Sequence, residues 1–361
     1  MKNVKIFSFF SGVGFLDLGF ENAGFTIEFV NEVNKTFLYS YKYARGVHSH
    51  KPLYGYSDKD IREYLEDEVW NSQFSNCEKD KELIGFIGGP PCPDFSTAGK
   101  NRGEKGLNGQ LTYIYVSLIC KRLPDFFVLE NVAGLYRTQK HRAFYERMKR
   151  KLYSAGYSLF DSIENALEYG VPQNRERLIL VGFLRARFGR NIKFRIGNNK
   201  KYNLSDINNV EWPGLTMFKE GSELLPYDNG FMDLTVEHWF RVNNVYNHIN
   251  GNDVFKVKNL SRFLDIQEGD VTKKSFKRLH RWRYAPTAAF GNNEVHLHPY
   301  YARRISVAEA LAIQSLPIGF KVPTDISLSS KFKMVGNGVP YLLSLGVAKD
   351  IFEFIKIFSQ E

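Results

Sequence analysis

Val4-Lys5-Ile6-Phe7-Ser8-Phe9-Phe10-Ser11-Gly12-Val13-Gly14, followed by Phe15-Leu16-Asp17-Leu18-Gly19-Phe20, decides how the rest of the chain is read. A short apolar run enters a glycine-rich turn, and the residues behind it carry apolar side chains at helical spacing. This pattern predicts a buried strand over 4–9 and a helix over 15–23. Glycines at such a turn let the backbone approach a ligand, and the following helix presents its amino end there. The same glycines would serve a purely structural turn equally well. Working outward, further apolar runs predict strands at 27–30, 53–56 (the weakest), 83–87, 126–129, 157–163 and 177–183. Helical spacing recurs at 111–122, 141–152, 306–314 and 341–357, while 332–338 is expected to be a short segment entering a glycine-rich turn. Strand–helix alternation implies an α/β fold, a mostly parallel sheet with helices on both faces. Such sheets bind ligands beyond the carboxyl ends of their strands, so the residues just past each strand are the functional candidates.

Composition narrows the class. The 361 residues suggest about two domains, and 43% hydrophobic content is enough for a sizeable core. A 15% aromatic content argues against extended disorder. Cys77, Cys92 and Cys120 are too few for a disulfide framework and show no CxxC spacing, so no metal is expected and a reducing cytoplasm fits. Lys2, Lys5 and the apolar residues after them imitate a signal peptide, but Gly12, Gly14, Asp17 and Glu21 interrupt the run. No stretch of about 18 apolar residues occurs, which excludes a membrane-spanning helix. Lys and Arg outnumber Asp and Glu by 49 to 39, a net charge of +10, which points to a polyanionic partner. From about residue 186 the chain turns basic, Gly/Asn-rich and weakly periodic. The expected layout is an α/β domain over 1–185, an irregular domain over 186–295, and a return over 296–361 that completes the first.

Several chemistry-bearing residues fall just past predicted strands. Glu32 ends the second strand, where a carboxylate binds ribose hydroxyls in nucleotide-type sites; the missing third glycine of a dinucleotide motif favours a ligand without pyrophosphate. Asp60 could meet an adenine amino group or simply start a helix. Cys92, within Gly88-Gly89-Pro90-Pro91-Cys92-Pro93-Asp94-Phe95-Ser96, has a backbone stiffened by proline on both sides, a setting that suits a nucleophile. A small buried cysteine is the plainer alternative. Glu130, in Glu130-Asn131-Val132, suits a general acid or a hydrogen bond to a substrate ring. Arg175 and Arg177, in Gln173-Asn174-Arg175-Glu176-Arg177, are two apart and share a strand face, aimed at an anionic or carbonyl-rich substrate or at solvent.

In their order and spacing these motifs resemble the cytosine-5 DNA methyltransferase family. The resemblance spans about 1–185 and 295–361 and continues through Arg304-Ile305-Ser306-Val307-Ala308-Glu309 and Val335-Gly336-Asn337-Gly338-Val339-Pro340. It implies a Rossmann-like S-adenosylmethionine-dependent sheet with a smaller target-recognition domain. It further implies sequence-specific methylation of a flipped-out cytosine in double-stranded DNA, with Cys92 adding to carbon 6, Glu130 at ring nitrogen 3, Arg177 at the carbonyl oxygen and Arg175 at a phosphate. By the same resemblance the cofactor would meet Phe10, Gly12, Val13, Gly14, Glu32, Val33, Asp60, Ile61, Pro91, Leu111, Asn337 and Gly338. DNA would meet Ser96, Lys100 and Arg102 in a closing loop over 96–110, and Thr287. The basic–aromatic stretch 273–283, with Lys277, Arg278 and Arg281, is expected to contact phosphates, or else to form a solvated helix face. A bacterial, nucleoid-associated monomer accompanied by a separately acting restriction endonuclease is the implied setting. Pro93, Val33 and Phe15 depart from the family pattern; Phe15 is expected to crowd the cofactor turn. A tRNA-modifying relative lacks support because its Cys-Phe-Thr element has no counterpart beyond Cys120. A catalytically inactive relative is disfavoured by intact Cys92, Glu130 and Arg177, and a nicotinamide-dependent oxidoreductase would leave the PPC and ENV motifs unexplained.

Overall fold

Strand β1 (Val4–Phe9) is buried along its whole length and lies between β2 (Thr26–Asn31) and β4 (Leu83–Gly88), parallel to both. A strand covered on both faces needs a continuous apolar run rather than alternation, and that is what these residues supply. The computed structural model describes residues 4–46, 50–75, 77, 82–91, 107–256, 261–273, 275–288, 290 and 294–358. Among them is a seven-stranded sheet in the order β3-β2-β1-β4-β5-β7-β6, with β3 at Tyr56–Ser57, β5 at Phe126–Val132, β6 at Tyr157–Asn165 and β7 at Glu176–Leu184. The order reverses between β1 and β4, so the ligand crevice opens beyond Phe9 and Gly88.

The sheet is mostly parallel, as the alternation implied, but β7 runs antiparallel to both β5 and β6. That reversal brings Arg177, at the start of β7, opposite Val132, at the end of β5. The weak strand expected at 53–56 is instead the two residues of β3; Leu53 is exposed, and its N–H donates to Glu28 (2.7 Å).

Helix α1 (Phe15–Ala23) and the long Tyr341–Phe358 helix cover one face, and Ser344 Oγ donates to the Leu16 carbonyl (2.6 Å) to join them. Helix α2 (Lys35–Arg45), which periodicity did not reveal, begins at Asn34, whose side chain accepts from the N–H groups of Thr36 and Phe37. Helices α3 (Asp67–Gln73), α4 (Leu107–Arg122) and Gln139–Ser154 cover the other face. A separate core joins Val13 and Phe15 to Phe240, Leu279, Ala285 and Phe290 from the irregular stretch and to the Val307–Ile313 and Leu328–Asn337 helices. The residues expected to enter a turn at 332–338 therefore form the second half of a helix, and Phe332, Met334 and Val335 supply its buried side.

Candidate active site and cofactor cleft

The crevice begins with a strained turn. Phe10 takes a left-handed backbone (φ 53°), Gly12 follows at φ 58° and Gly14 at φ 85°. A Cβ on Gly14 would sit 2.6 Å from the Tyr41 ring, so only glycine fits there. Arg45 braces the turn from α2: it donates to the Gly14 carbonyl (3.1 Å) and pairs with Glu21 (2.5 Å). Beneath it, fully buried Asp17 accepts from Ser8 Oγ and Tyr41 OH, both at 2.8 Å. The motif reading missed this brace, although an aspartate on the apolar face of a helix was a visible signal. Phe15, expected to crowd the turn, is buried, with its ring edge-on to Phe320 and against Gly338.

Glu32 stands at the far wall. Its Oε2 accepts the Gly12 N–H and its Oε1 the Asn34 N–H, each at 2.9 Å, which ties the turn after β1 to the end of β2. Burial raises its pKa, and the two backbone donors work against that rise. Both oxygens keep further acceptor capacity, as a diol would require. Val33 is 58% exposed beside it, whereas Ile61 is buried. Asp60 caps the short Ile61–Leu65 helix, accepting the Arg62 N–H (2.9 Å), while Glu63 accepts the Asp60 N–H (3.0 Å). Asn31 fastens this segment to β2 through the carbonyls of Ser57 and Lys59. Leu111 is half-buried on α4, and Asn337 lies exposed at the end of its helix.

On the other side of the crevice, Glu130 Oε1 pairs with Arg177 Nε at 2.9 Å, both side chains nearly buried. Glu130 and Val132 share a face of β5, and Val132 lies opposite Arg177, so the antiparallel register sets this pair. Gly89, just past β4, makes room for it: a Cβ there would sit 2.7 Å from Glu130 Oε2. Burial pushes the Glu130 carboxyl above its ordinary range, and the Arg177 charge partly offsets the push. Pro91 is exposed at the same edge. Cys92, Ser96, Lys100 and Arg102 lie outside the described residues.

Arg175, expected at a phosphate, is engaged by protein carbonyls. It is 2% exposed, and its guanidinium donates to the carbonyls of Ala288 (3.3 Å), Gly336 (2.8 Å) and Gly338 (3.1 Å). It therefore clamps the strand entry to the Leu328–Asn337 helix and to the 285–288 segment. That seam is dense: Gln173 bridges Ala285, Ala288 N–H donates to Gln173 Oε1 (3.1 Å), and exposed Thr287 donates through Oγ1 to the Asn174 carbonyl (2.6 Å).

The described residues of the 273–283 stretch form no helix, and two of its three candidate phosphate contacts are buried. Arg278 is fully buried, lies over the Phe218 ring (3.8 Å) and donates to the carbonyls of Phe263, Ile266, His298 and Tyr301. Desolvation pulls its pKa down to about 10. Arg281 makes a two-pronged pair with buried Glu268, both contacts at 2.8 Å, and donates again to Ser222. Each of these two guanidinium groups spends four hydrogen bonds of a possible five on protein acceptors. Lys277 alone of the three remains half-exposed.

Nearby, His298 Nδ1 accepts two backbone N–H groups, and Glu309 receives a fork from Arg303 while capping the Val307–Ile313 helix through Ser306. Burial works to raise Glu309, but His298 and the Arg303 fork outweigh it and pull the carboxyl to about 2. Among the described residues no helix is long and apolar enough to cross a membrane.

A type II methyltransferase, M.NmeDI of Neisseria meningitidis serogroup C, is 51% identical over 98% of this chain and 85% of its own length. M.FnuDI of Fusobacterium nucleatum, another type II methyltransferase, is 32% identical over 97% and 94% respectively. Among solved structures, an E. coli prophage protein described as a DNA modification methyltransferase superposes with a TM-score of 0.69 at 21% identity, covering 98% of this chain and all of its own. The Dnmt2 methyltransferase of S. pombe follows the same fold at a TM-score of 0.59 and 13% identity, covering 99% of both chains. The model of C-5 cytosine-specific DNA methylases matches residues 4–353, and the chain belongs to that family.

Proposed function

We propose that this enzyme is a sequence-specific type II modification methyltransferase that acts on carbon 5 of a cytosine flipped out of duplex DNA, through a covalent adduct of Cys92. The observation that carries this reading is the buried Glu130–Arg177 pair (2.9 Å) beside Gly89, at the strand ends next to the PPC motif. Carbon 5 of cytosine is a weak nucleophile, so the ring must be activated first. The Cys92 thiolate adds to carbon 6, forming an S–C bond, and the displaced ring electrons make carbon 5 nucleophilic. Glu130, held toward its protonated form by burial, supplies a hydrogen bond and proton at ring nitrogen 3. Arg177 orients Glu130 and offers its remaining N–H groups to the ring carbonyl. Carbon 5 takes up the methyl group, and loss of its proton to water then supplies the electron pair that breaks the S–C bond and returns the thiolate, while nitrogen 3 gives its proton back to Glu130.

The cleft between Gly12–Gly14 and Glu32 fits S-adenosylmethionine, which supplies an electrophilic methyl group when bound: the turn leaves backbone space, and the Glu32 carboxylate retains acceptor capacity for ribose hydroxyls. Phe10, Val13, Val33, Asp60, Ile61, Pro91, Leu111, Asn337 and Gly338 would line the rest. Extrusion of the base costs a few kcal/mol of stacking and pairing, offset by contacts from 96–110, including Ser96, Lys100 and Arg102, and from Thr287. The 186–295 region, apart from the 190–196 segment that packs on the core of the sheet, reads the target. On this reading the enzyme works as a cytoplasmic monomer beside a separate restriction endonuclease.

The test is Cys92→Ala. Tritium transfer from labelled S-adenosylmethionine to DNA should vanish while DNA binding, dominated by phosphate contacts, stays near wild type. Duplexes carrying 5-fluorocytosine, which cannot release a proton from carbon 5, should trap wild type in a denaturant-resistant complex and leave the variant free. Near-normal turnover by the variant would eliminate the covalent route.

A further inference from the structure

The Leu184–Ile196 region presents cations on the side of the molecule away from the crevice. Because β7 is antiparallel, its end at Leu184 lies beside Phe126, where β5 begins, whereas Glu130 and Val132 lie where β5 ends. Seven strand residues at about 3.3 Å each separate the two ends of β5 by about 20 Å. From Arg185 to Arg195 the chain carries Arg185, Arg187, Arg190, Lys193 and Arg195 and no carboxylate.

The local pattern explains how they are displayed. Ile192, Phe194 and Ile196 alternate inward and pack on the core beside the Tyr341–Phe358 helix, with the Phe194 and Phe354 rings 5.5 Å apart. Lys193 and Arg195 therefore alternate outward, and both are exposed, as is Arg190. Two-residue spacing in an extended segment puts the Lys193 and Arg195 backbones about 6.6 Å apart. Their neighbours are treated differently: Lys200 is paired with Glu164 (2.9 Å) and Glu168 (3.1 Å), and Lys201 with Asp233. Arg190, Lys193 and Arg195 pair with no described carboxylate, and Arg187 reaches Asp125 only at 3.4 Å. Three cations with no ion pair to a described acid repel one another, a cost that a polyanion would reverse.

We propose that Arg190, Lys193 and Arg195 form a second duplex-DNA surface, separate from the catalytic crevice, that holds the phosphates of a neighbouring DNA segment while the crevice engages its own. The inference rests on duplex DNA being the substrate. A protein with two such faces can pass from one segment to another without entering free solution.

The experiment uses the full chain. A biotinylated duplex on beads is loaded with protein, and capture of a second, fluorescent duplex is measured against salt; methyl transfer to a single short duplex is followed in parallel. Wild type should capture the second duplex at low salt and lose it steeply as salt rises. The R190E/K193E/R195E variant should capture at least tenfold less while methylating the short duplex at the wild-type rate. Failure of wild type to capture, or equal capture by the variant, overturns the second surface, and equal capture would also expose tethering through protein self-association. Loss of methyl transfer by wild type would instead strike the proposed function, so the two failures are distinguishable.

Discussion

Replacing Arg175 with Met tests whether this residue is a clamp or a phosphate contact. Its guanidinium makes three hydrogen bonds to carbonyls on two distant segments, and it is 2% exposed. Hydrogen bonds with a charged partner contribute about 1.5–3 kcal/mol each. Desolvation of the guanidinium takes part of that back, since burial drives the Arg175 pKa well down. A net loss of about 3 kcal/mol is expected. With an unfolding entropy of about 2.1 cal/mol/K per residue, that lowers the Tm of the 361-residue chain by roughly 4 °C. Arg175→Lys keeps the charge but offers one compact donor group, so it should recover only part of the loss. The assay pairs thermal melting with DNA titrations across salt. A clamp predicts a lower Tm and an unchanged salt slope for both variants. An unchanged Tm with a slope shallower by about one unit would refute the reasoning and return Arg175 to the DNA backbone.

Glu32→Gln should weaken S-adenosylhomocysteine binding by about 10- to 100-fold in calorimetric titration, matching about 1.5–3 kcal/mol for a charged acceptor; equal affinity would reduce Glu32 to a brace between Gly12 and Asn34. Arg281→Leu strands buried Glu268 and should cost about 3–5 kcal/mol of stability without changing the salt slope of DNA binding; a shallower slope at unchanged stability would mean that Arg281 does meet phosphate. Glu309, with its carboxyl pulled from 4.5 to about 2, stabilises the fold above its unfolded pKa and loses that contribution as pH falls from about 4.5 toward 2. The melting difference between wild type and Glu309→Gln should therefore shrink across that window, and a difference independent of pH would rule the linkage out.

By itself the sequence determined β1, β2, β4 and β5 to within a few residues and the exact span of α1, while Glu130 and Arg177, expected beside strand ends, lie within β5 and β7. Those features are local: apolar runs of strand length, helical spacing and a glycine turn are all written over a dozen neighbouring residues. The same locality made the positions of Glu32 and Glu130 legible. Tertiary structure decided the direction of β7, the helix over Leu328–Asn337, and above all the fate of the arginines. Arg177 meets Glu130 only because an antiparallel register places it opposite Val132. Arg175 and Arg278 are buried because carbonyls of residues far along the chain, Gly336 and Gly338 for one and His298 and Tyr301 for the other, converge on them. A guanidinium is the same group in sequence whether it will face water, phosphate or protein, and only the fold brings up the acceptors that choose among them.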